Sequence, residues 1–139
     1  MPPISKHGEK WGPQKSPYNF ERFDSGLEER MMDKLDADPT VVKWMKRHGI
    51  SISWVDSQKH MRRYVPDFIV RLQSAASVHL ILETKGYDPL EEVKAQAARR
   101  WVEAVNVDGR YGRWYYAVAR APEEVWKCIE ETMAAMPSA

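Results

Sequence analysis

Hydrophobic residues recur along this chain with two periods, and the alternation between them sets out the elements. Leu27, Met31 and Leu35 return every four residues behind Ser25, which predicts a helix over FDSGLEERMMDKLD with Ser25 as its N-cap. Asp38-Pro39 then signals the start of a second, short helix, VVKWMKRH, closed by Gly49. ISISWV, residues 50–55, alternates like a half-buried strand, and DSQKHM supplies a polar hairpin loop. YVPDFIVRL, residues 64–72, reads as the next strand, with Phe68, Val70 and Leu72 on one face and Asp67, Ile69 and Arg71 on the other. Pro66 cannot donate a ladder hydrogen bond, so that strand should be bent, bulged or at an edge there. QSAAS turns the chain into a third strand, which ends in LILETKG.

Asp88-Pro89 repeats the helix-start signal, and LEEVKAQAARRWVEAVN follows as a helix with Leu90, Val93, Ala97, Trp101 and Ala104 as its inward stripe. RWYYAVA, residues 113–119, is a fourth strand, and PEEVWKCIEETMAAM a closing amphipathic helix. Residues 1–22, rich in Pro, Lys and Gly without a period, read as an arm or linker, which leaves 23–139 as one domain. The expected architecture is α/β, a mixed central sheet of about four strands flanked by helices. Its first three strands would form a meander, and the helix at 88–106 would carry the chain to a strand paired in parallel.

Composition narrows the picture a little. The 139 residues suit one domain; Cys128 is the only cysteine, which rules out an intrachain disulfide. No stretch approaches the roughly 20 apolar residues of a membrane span, and the start lacks the apolar run of a signal peptide, so a soluble, intracellular protein is expected. Net charge is +1, but residues 40–73 hold seven basic side chains against two acidic ones. A basic middle between acidic flanks suits a polyanion or, more plainly, a solvated face.

Candidate chemistry lies at the ends of two strands. Glu83 and Lys85 point the same way along their strand, and a short turn near register would bring Asp67 beside Glu83. Two converging carboxylates repel unless a cation sits between them, and Mg²⁺ is held by one or two carboxylates plus waters. Lys85, one strand repeat further, would lie beside a water on that ion, where it could hold the water or stabilise charge on a phosphoryl oxygen.

Pro66-Asp67 followed by Glu83-Thr84-Lys85 resembles the signature of the PD-(D/E)XK nuclease superfamily, on that superfamily's own order of helix, three strands, helix and strand. The chain is most similar to the C-terminal endonuclease domain of type III restriction enzymes, in YVPDFIVRL, in ILETKG, and in WVEAVN followed by YGRW. The likeness covers about residues 23–119. It implies a restriction-endonuclease-like fold and Mg²⁺-dependent DNA cleavage at the 3′ O–P bond, with Mn²⁺ able to substitute. Asp67 and Glu83 would bind the metal, and Lys85 would orient the attacking water. It also implies a cytoplasmic protein, prokaryotic or phage-encoded, working in restriction and phage defence. Type III subunits carry a motor with an ATP-binding Gly-rich loop, and this chain has no GxxxxGK[ST] run and no target-recognition module. What remains is either an excised fragment or a free-standing nuclease that borrows a helicase or translocase and a modification or specificity subunit from partners, and it could act as a homodimer.

The remaining candidates are more evenly balanced. Glu28 resembles the glutamate that the first helix lends to such sites, yet Ser25-Gly26-Leu27-Glu28 is also a capping box. Lys94 matches a lysine of the family's helix that could reach the scissile phosphate, or it snorkels over apolar surface. Arg62, Arg63, Lys59 and Lys43 are candidate phosphate contacts, with Arg99 and Arg100 weaker ones. His7, His48, His60 and His79 lack ligand spacing, so zinc is not expected. Two other readings stand beside the endonuclease. One is a structure-specific or single-strand nuclease of the same fold, the other a non-catalytic DNA-binding or assembly module.

Overall fold

The computed structural model describes residues 8–18, 20–23, 25–46, 48–74, 77–84 and 89–136. In chain order the elements are β1 (Glu9–Trp11), β2 (Phe20–Arg22), α1 (Gly26–Ala37), β3 (Val41–Met45), β4 (Ile52–Val55) and β5 (Met61–Tyr64). Then come β6 (Phe68–Leu72), β7 (Val78–Thr84), α2 (Glu91–Asp108), β8 (Arg113–Ala119) and α3 (Glu123–Ala135). A central sheet of order β3-β6-β7-β8 carries the fold; β7 and β8 are parallel and the other pairs antiparallel.

The sheet buries both faces. Phe68, Val70, Leu72, Val78, Leu80 and Leu82 point to the side closed by α1 and α3, where they meet Met31, Met32, Leu35, Val125 and Ile129. Ile69 and Ile81 point the other way, into a second cluster made by Ala97 and Ala98 of α2 and by Ile52 and Trp54 of the β4–β5 hairpin. The strands therefore use the expected alternation, with two cores rather than one. At the start of α1 the Ser25 hydroxyl accepts from Glu28 N–H at 3.2 Å, as the capping signal predicts.

Four expectations are corrected. VVKWMKRH is no helix: Val41–Met45 is the edge strand β3. A β-bulge between Val41 and Lys43 gives the strand one extra residue, so Val41 and Trp44, three apart, both face the first core. That spacing imitates a helical stripe, while the β-branched Val41-Val42 pair favours the strand. Nor are the first three expected strands a meander. β4 pairs with β5, outside the central sheet, because the predicted strand 64–72 breaks at Val65–Asp67. Pro66 is the physical cause, since it has no N–H to continue a ladder.

The inward stripe of α2 is also rotated from the expected one. Ala95, Ala97 and Ala98 are buried and Trp101, Val102 and Val105 pack beside them, whereas Leu90 and Val93 are exposed. Small alanines let the helix lie close on the sheet. Finally, part of the expected arm is structured. β1 and β2 pair as an antiparallel hairpin, and the backbone N–H groups of Gln14 and Lys15 donate to Asp36 of α1.

The WVEAVN and YGRW motifs find a structural explanation in the parallel crossover. The Asn106 side chain both donates to and accepts from the backbone of Trp114, at 2.9 and 2.8 Å, which caps the outer edge of β8. Trp101 meets Trp114 edge to face. Gly112 has φ of +79°, and a Cβ there would lie 2.6 Å from the Ser77 carbonyl oxygen. Only glycine allows β8 to enter that close beside the start of β7.

Candidate active site

Phe68 pairs with Leu82 at the end of the antiparallel ladder, so one further step sets Asp67 opposite Glu83. The two side chains share the α2 face, as alternation requires. Each is tied to the other strand. Asp67 N–H donates to Glu83 Oε1 at 2.8 Å, and Asp67 Oδ2 accepts from the Thr84 N–H and hydroxyl at 2.8 and 3.1 Å. Glu83 is 1 % exposed and Asp67 half-buried. Two facing carboxylates at the rim of an apolar sheet are thus fixed in place by neutral donors, which hold them without removing their charge.

The peptide between Pro66 and Asp67 is held from both sides. Its N–H goes to Glu83, and its carbonyl accepts from His48 Nε2 at 2.8 Å. His48 Nδ1 accepts from the Ile50 N–H at 3.0 Å, which fixes the tautomer with the proton on Nε2. Burial holds this imidazole below its ordinary pKa, against the opposing pull of the Pro66 hydrogen bond and of Asp67 and Glu21. The ring is therefore a neutral brace behind Asp67. Nothing in the sequence spacing marks His48 for this role, because its partner is a backbone carbonyl 18 residues away.

Tyr64 and Tyr116 lie near the carboxylates on the α2 side. Burial pushes both tyrosine hydroxyls up from their usual pKa, and the charge of Glu83 pushes them further. The Tyr64 hydroxyl donates to the Lys94 carbonyl at 3.2 Å, and Lys94 Nζ lies 5.8 Å from the Tyr64 ring centre. The Tyr116 hydroxyl is buried without a hydrogen-bond partner among the described residues. Lys94 thus stands at the site end of α2.

Some of the other candidates have charged partners among the described residues. The Glu28 carboxylate accepts from Lys46 Nζ at 2.6 Å, both side chains largely buried, so this ion pair ties α1 to the end of β3. Arg62 pairs with Asp56 across the hairpin loop at 2.9 Å. Arg62 lies opposite Trp54 and Arg63 opposite Ser53, so the two arginines leave the hairpin on opposite faces. Lys59 is exposed in the loop with φ of 65°. Lys43 is exposed on β3. Lys85 lies outside the described residues.

Among the described residues no group of three or more acidic, histidine or cysteine side chains is placed to hold a metal. Two facing carboxylates fit an ion that is held by one or two carboxylates and keeps several waters, which is the habit of Mg²⁺. Asp67 Oδ1 takes no hydrogen bond from a described residue and so leaves an oxygen for that purpose. Asp67 and Glu83 are the residues that would hold it.

A family model described as an endonuclease domain matches residues 14–119. No curated protein and no solved structure matches the chain. The family match spans most of the 139 residues and begins before the first helix. The mixed sheet of four strands and the three helices make a restriction-endonuclease-like fold. The chain belongs to this endonuclease-domain family, which marks it as a nuclease domain.

Proposed function

We propose that this protein is a Mg²⁺-dependent DNA endonuclease domain of the type III restriction kind, with Asp67 and Glu83 as metal ligands and Lys85 as the residue that orients the attacking water. The observation that carries the proposal is the facing of Asp67 and Glu83 across β6 and β7, on the fold of a nuclease family. When bound, the ion supplies Lewis-acid polarisation of the phosphoryl oxygen and a more acidic water. The chain's own residues do the rest. Thr84 and His48 hold Asp67 and its preceding peptide, and Asp67 N–H holds Glu83, so the carboxylates need not reorganise when substrate arrives. The ammonium of Lys85, two residues beyond Glu83, would hold a water by one hydrogen bond and oppose the charge that builds on the phosphate. Lys94, at the same end of α2, would contact the neighbouring backbone phosphate.

Partners follow from the resemblance to type III restriction enzymes. A translocase and a specificity or modification subunit would deliver DNA to the site, and a second copy would allow the second strand to be cut.

Incubation with supercoiled plasmid in Mg²⁺, and again in EDTA, tests the proposal directly. Nicked or linear product with Mg²⁺ and none with EDTA is expected. Cleavage confined to branched or single-stranded oligonucleotides would replace the reading by a structure-specific nuclease, and binding without cleavage would replace it by an assembly module. Lys85→Ala should lower single-turnover cleavage far more than DNA affinity, because its contact is made in the transition state.

A further inference from the structure

Lys43 of β3 stands directly opposite Arg71 of β6, whose partner on the other side is His79 of β7. All three lie on the α2 face, in one row across three strands. Like charges directly opposed on a sheet are unfavourable, and here the register had an alternative. From Val41↔Leu72, an unbroken ladder would place Val42 opposite Arg71; the bulge at Val42 puts Lys43 there instead. Neither Lys43 nor Arg71 forms an ion pair or a side-chain hydrogen bond with a described residue. Other basic side chains of this segment do have partners: Lys46 has Glu28 and Arg62 has Asp56.

Beside the row lies a cavity of about 270 Å³, lined by Lys43, Arg71 and His79 together with Pro17, Met45 and Ile69. Among the described residues no acidic side chain enters its wall. The His79 ring is stacked on Trp114 with ring centres 4.5 Å apart and planes 13° apart, and its Nδ1 is buried without a hydrogen-bond partner among the described residues. Charge on an edge strand can serve simply to discourage pairing with another chain, and that would explain Lys43. It does not explain Arg71, which sits on an inner strand of the sheet.

We infer that Lys43, Arg71 and His79 form a phosphate-binding subsite that takes the backbone of a nucleic-acid strand, apart from Asp67 and Glu83. The phosphate source rests on the nuclease reading; the anion site itself does not. The row is four residues along β6 from Asp67, about 13 Å at roughly 3.3 Å per residue, so the phosphate held there is not the one cleaved. Such a contact positions the backbone without reading sequence. The two charges supply attraction, and the His79 ring, held on Trp114, walls the site.

The test uses the full chain, the double variant Lys43→Ala/Arg71→Ala, and the charge-keeping Lys43→Arg. Inorganic phosphate is titrated while the His79 and Trp114 ring resonances are followed by NMR. Saturable shifts are expected in the wild type and in Lys43→Arg, and none in the double variant. Binding of a labelled DNA duplex is then measured against salt, with Ca²⁺ in place of Mg²⁺. The slope of log affinity against log salt should flatten by roughly 0.9 in the double variant, for the one phosphate no longer neutralised. An absent phosphate shift with an unchanged slope overturns the subsite, and plasmid cleavage by the same wild-type protein would leave the nuclease reading standing. Phosphate shifts with an unchanged DNA slope, or in a wild type that neither binds nor cuts DNA, overturn the assignment to a nucleic-acid strand. Because both side chains are exposed, circular dichroism of the double variant should match the wild type.

Discussion

The two faces of the central sheet are built by alternate residues of the same strands, yet they have different compositions and different consequences. On the α1 and α3 face, β6 and β7 contribute Phe68, Val70, Leu72, Val78, Leu80 and Leu82 without interruption. On the α2 face the same strands contribute Asp67, Ile69, Arg71, His79, Ile81 and Glu83, so only the middle row is apolar. A fold that needed burial alone would gain nothing from opposed carboxylates at one end and, with Lys43 of β3 beside Arg71, opposed cations at the other. On the proposed function, the first face serves folding, and the second adds binding to its smaller core. Substitutions on each face should separate these roles or show them to be mixed.

The largest effect belongs to the second face. Glu83→Gln keeps an acceptor for Asp67 N–H but removes the charge, so plasmid cleavage should fall by about 10³-fold or more while the urea midpoint stays close to wild type. A variant that unfolds would show Glu83 to be structural, and one that cuts normally would remove it from the site. Leu80→Ala, on the same strand as Glu83 but pointing to the other face, should destabilise by about 2–5 kcal/mol. Cleavage per folded molecule should then be unchanged, as measured below the melting temperature. His48→Ala removes the brace on the Pro66 carbonyl and should raise the Mg²⁺ concentration needed for half-maximal cleavage by about 10–100-fold, the usual reach of a partner behind a metal ligand. Saturating Mg²⁺ should restore most of the rate. If it restores none, His48 does more than position Asp67.

The smallest effect is a pH dependence of stability. Burial lowers the pKa of both His48 and His79 below 6.5 in the folded protein. Between the folded and unfolded pKa values the unfolded chain binds more protons than the native one, so stability is full above about pH 6.5 and declines as pH falls below it. The decline from each group ends once the pH passes below its folded pKa. Denaturation of His79→Gln across pH 5 to 8 should show a shallower acid limb than wild type, and an identical limb would mean the ring is not held neutral.

The parts legible in the sequence are those where one period operates without interruption. β6 and β7 carry the apolar runs Phe68–Val70 and Leu80–Leu82 without a break, and their short connection sets the Asp67–Glu83 register, so the carboxylate pair is visible in the residue pattern. The helix α1 announces itself by Ser25 and a four-residue stripe. β3 escapes such a reading because a single extra residue at Val42 converts period two into an apparent helical spacing. The β4–β5 hairpin is misplaced by pattern because Pro66 breaks a run that the apolar periodicity carries straight through. His48 leaves no trace at all, since a side chain that serves a distant backbone carbonyl has no period.

The register of the two ladders also sets an order of folding. β6 and β7 pair across a short turn, Leu72 with Val78 at its base, whereas each β8 residue pairs 35 positions from its β7 partner, from Val78 with Arg113 to Thr84 with Ala119. A local hairpin closes in roughly microseconds, while the parallel ladder must await the intervening helix and its larger loop entropy. Asp67 and Glu83 therefore meet early, in a hairpin still open to water that screens their repulsion, and the charge pair becomes costly only when α2 and β8 arrive. Folding φ-values should accordingly be high for Val70→Ala and low for Val118→Ala, and the reverse pattern would place the crossover, and not the carboxylate hairpin, in the nucleus.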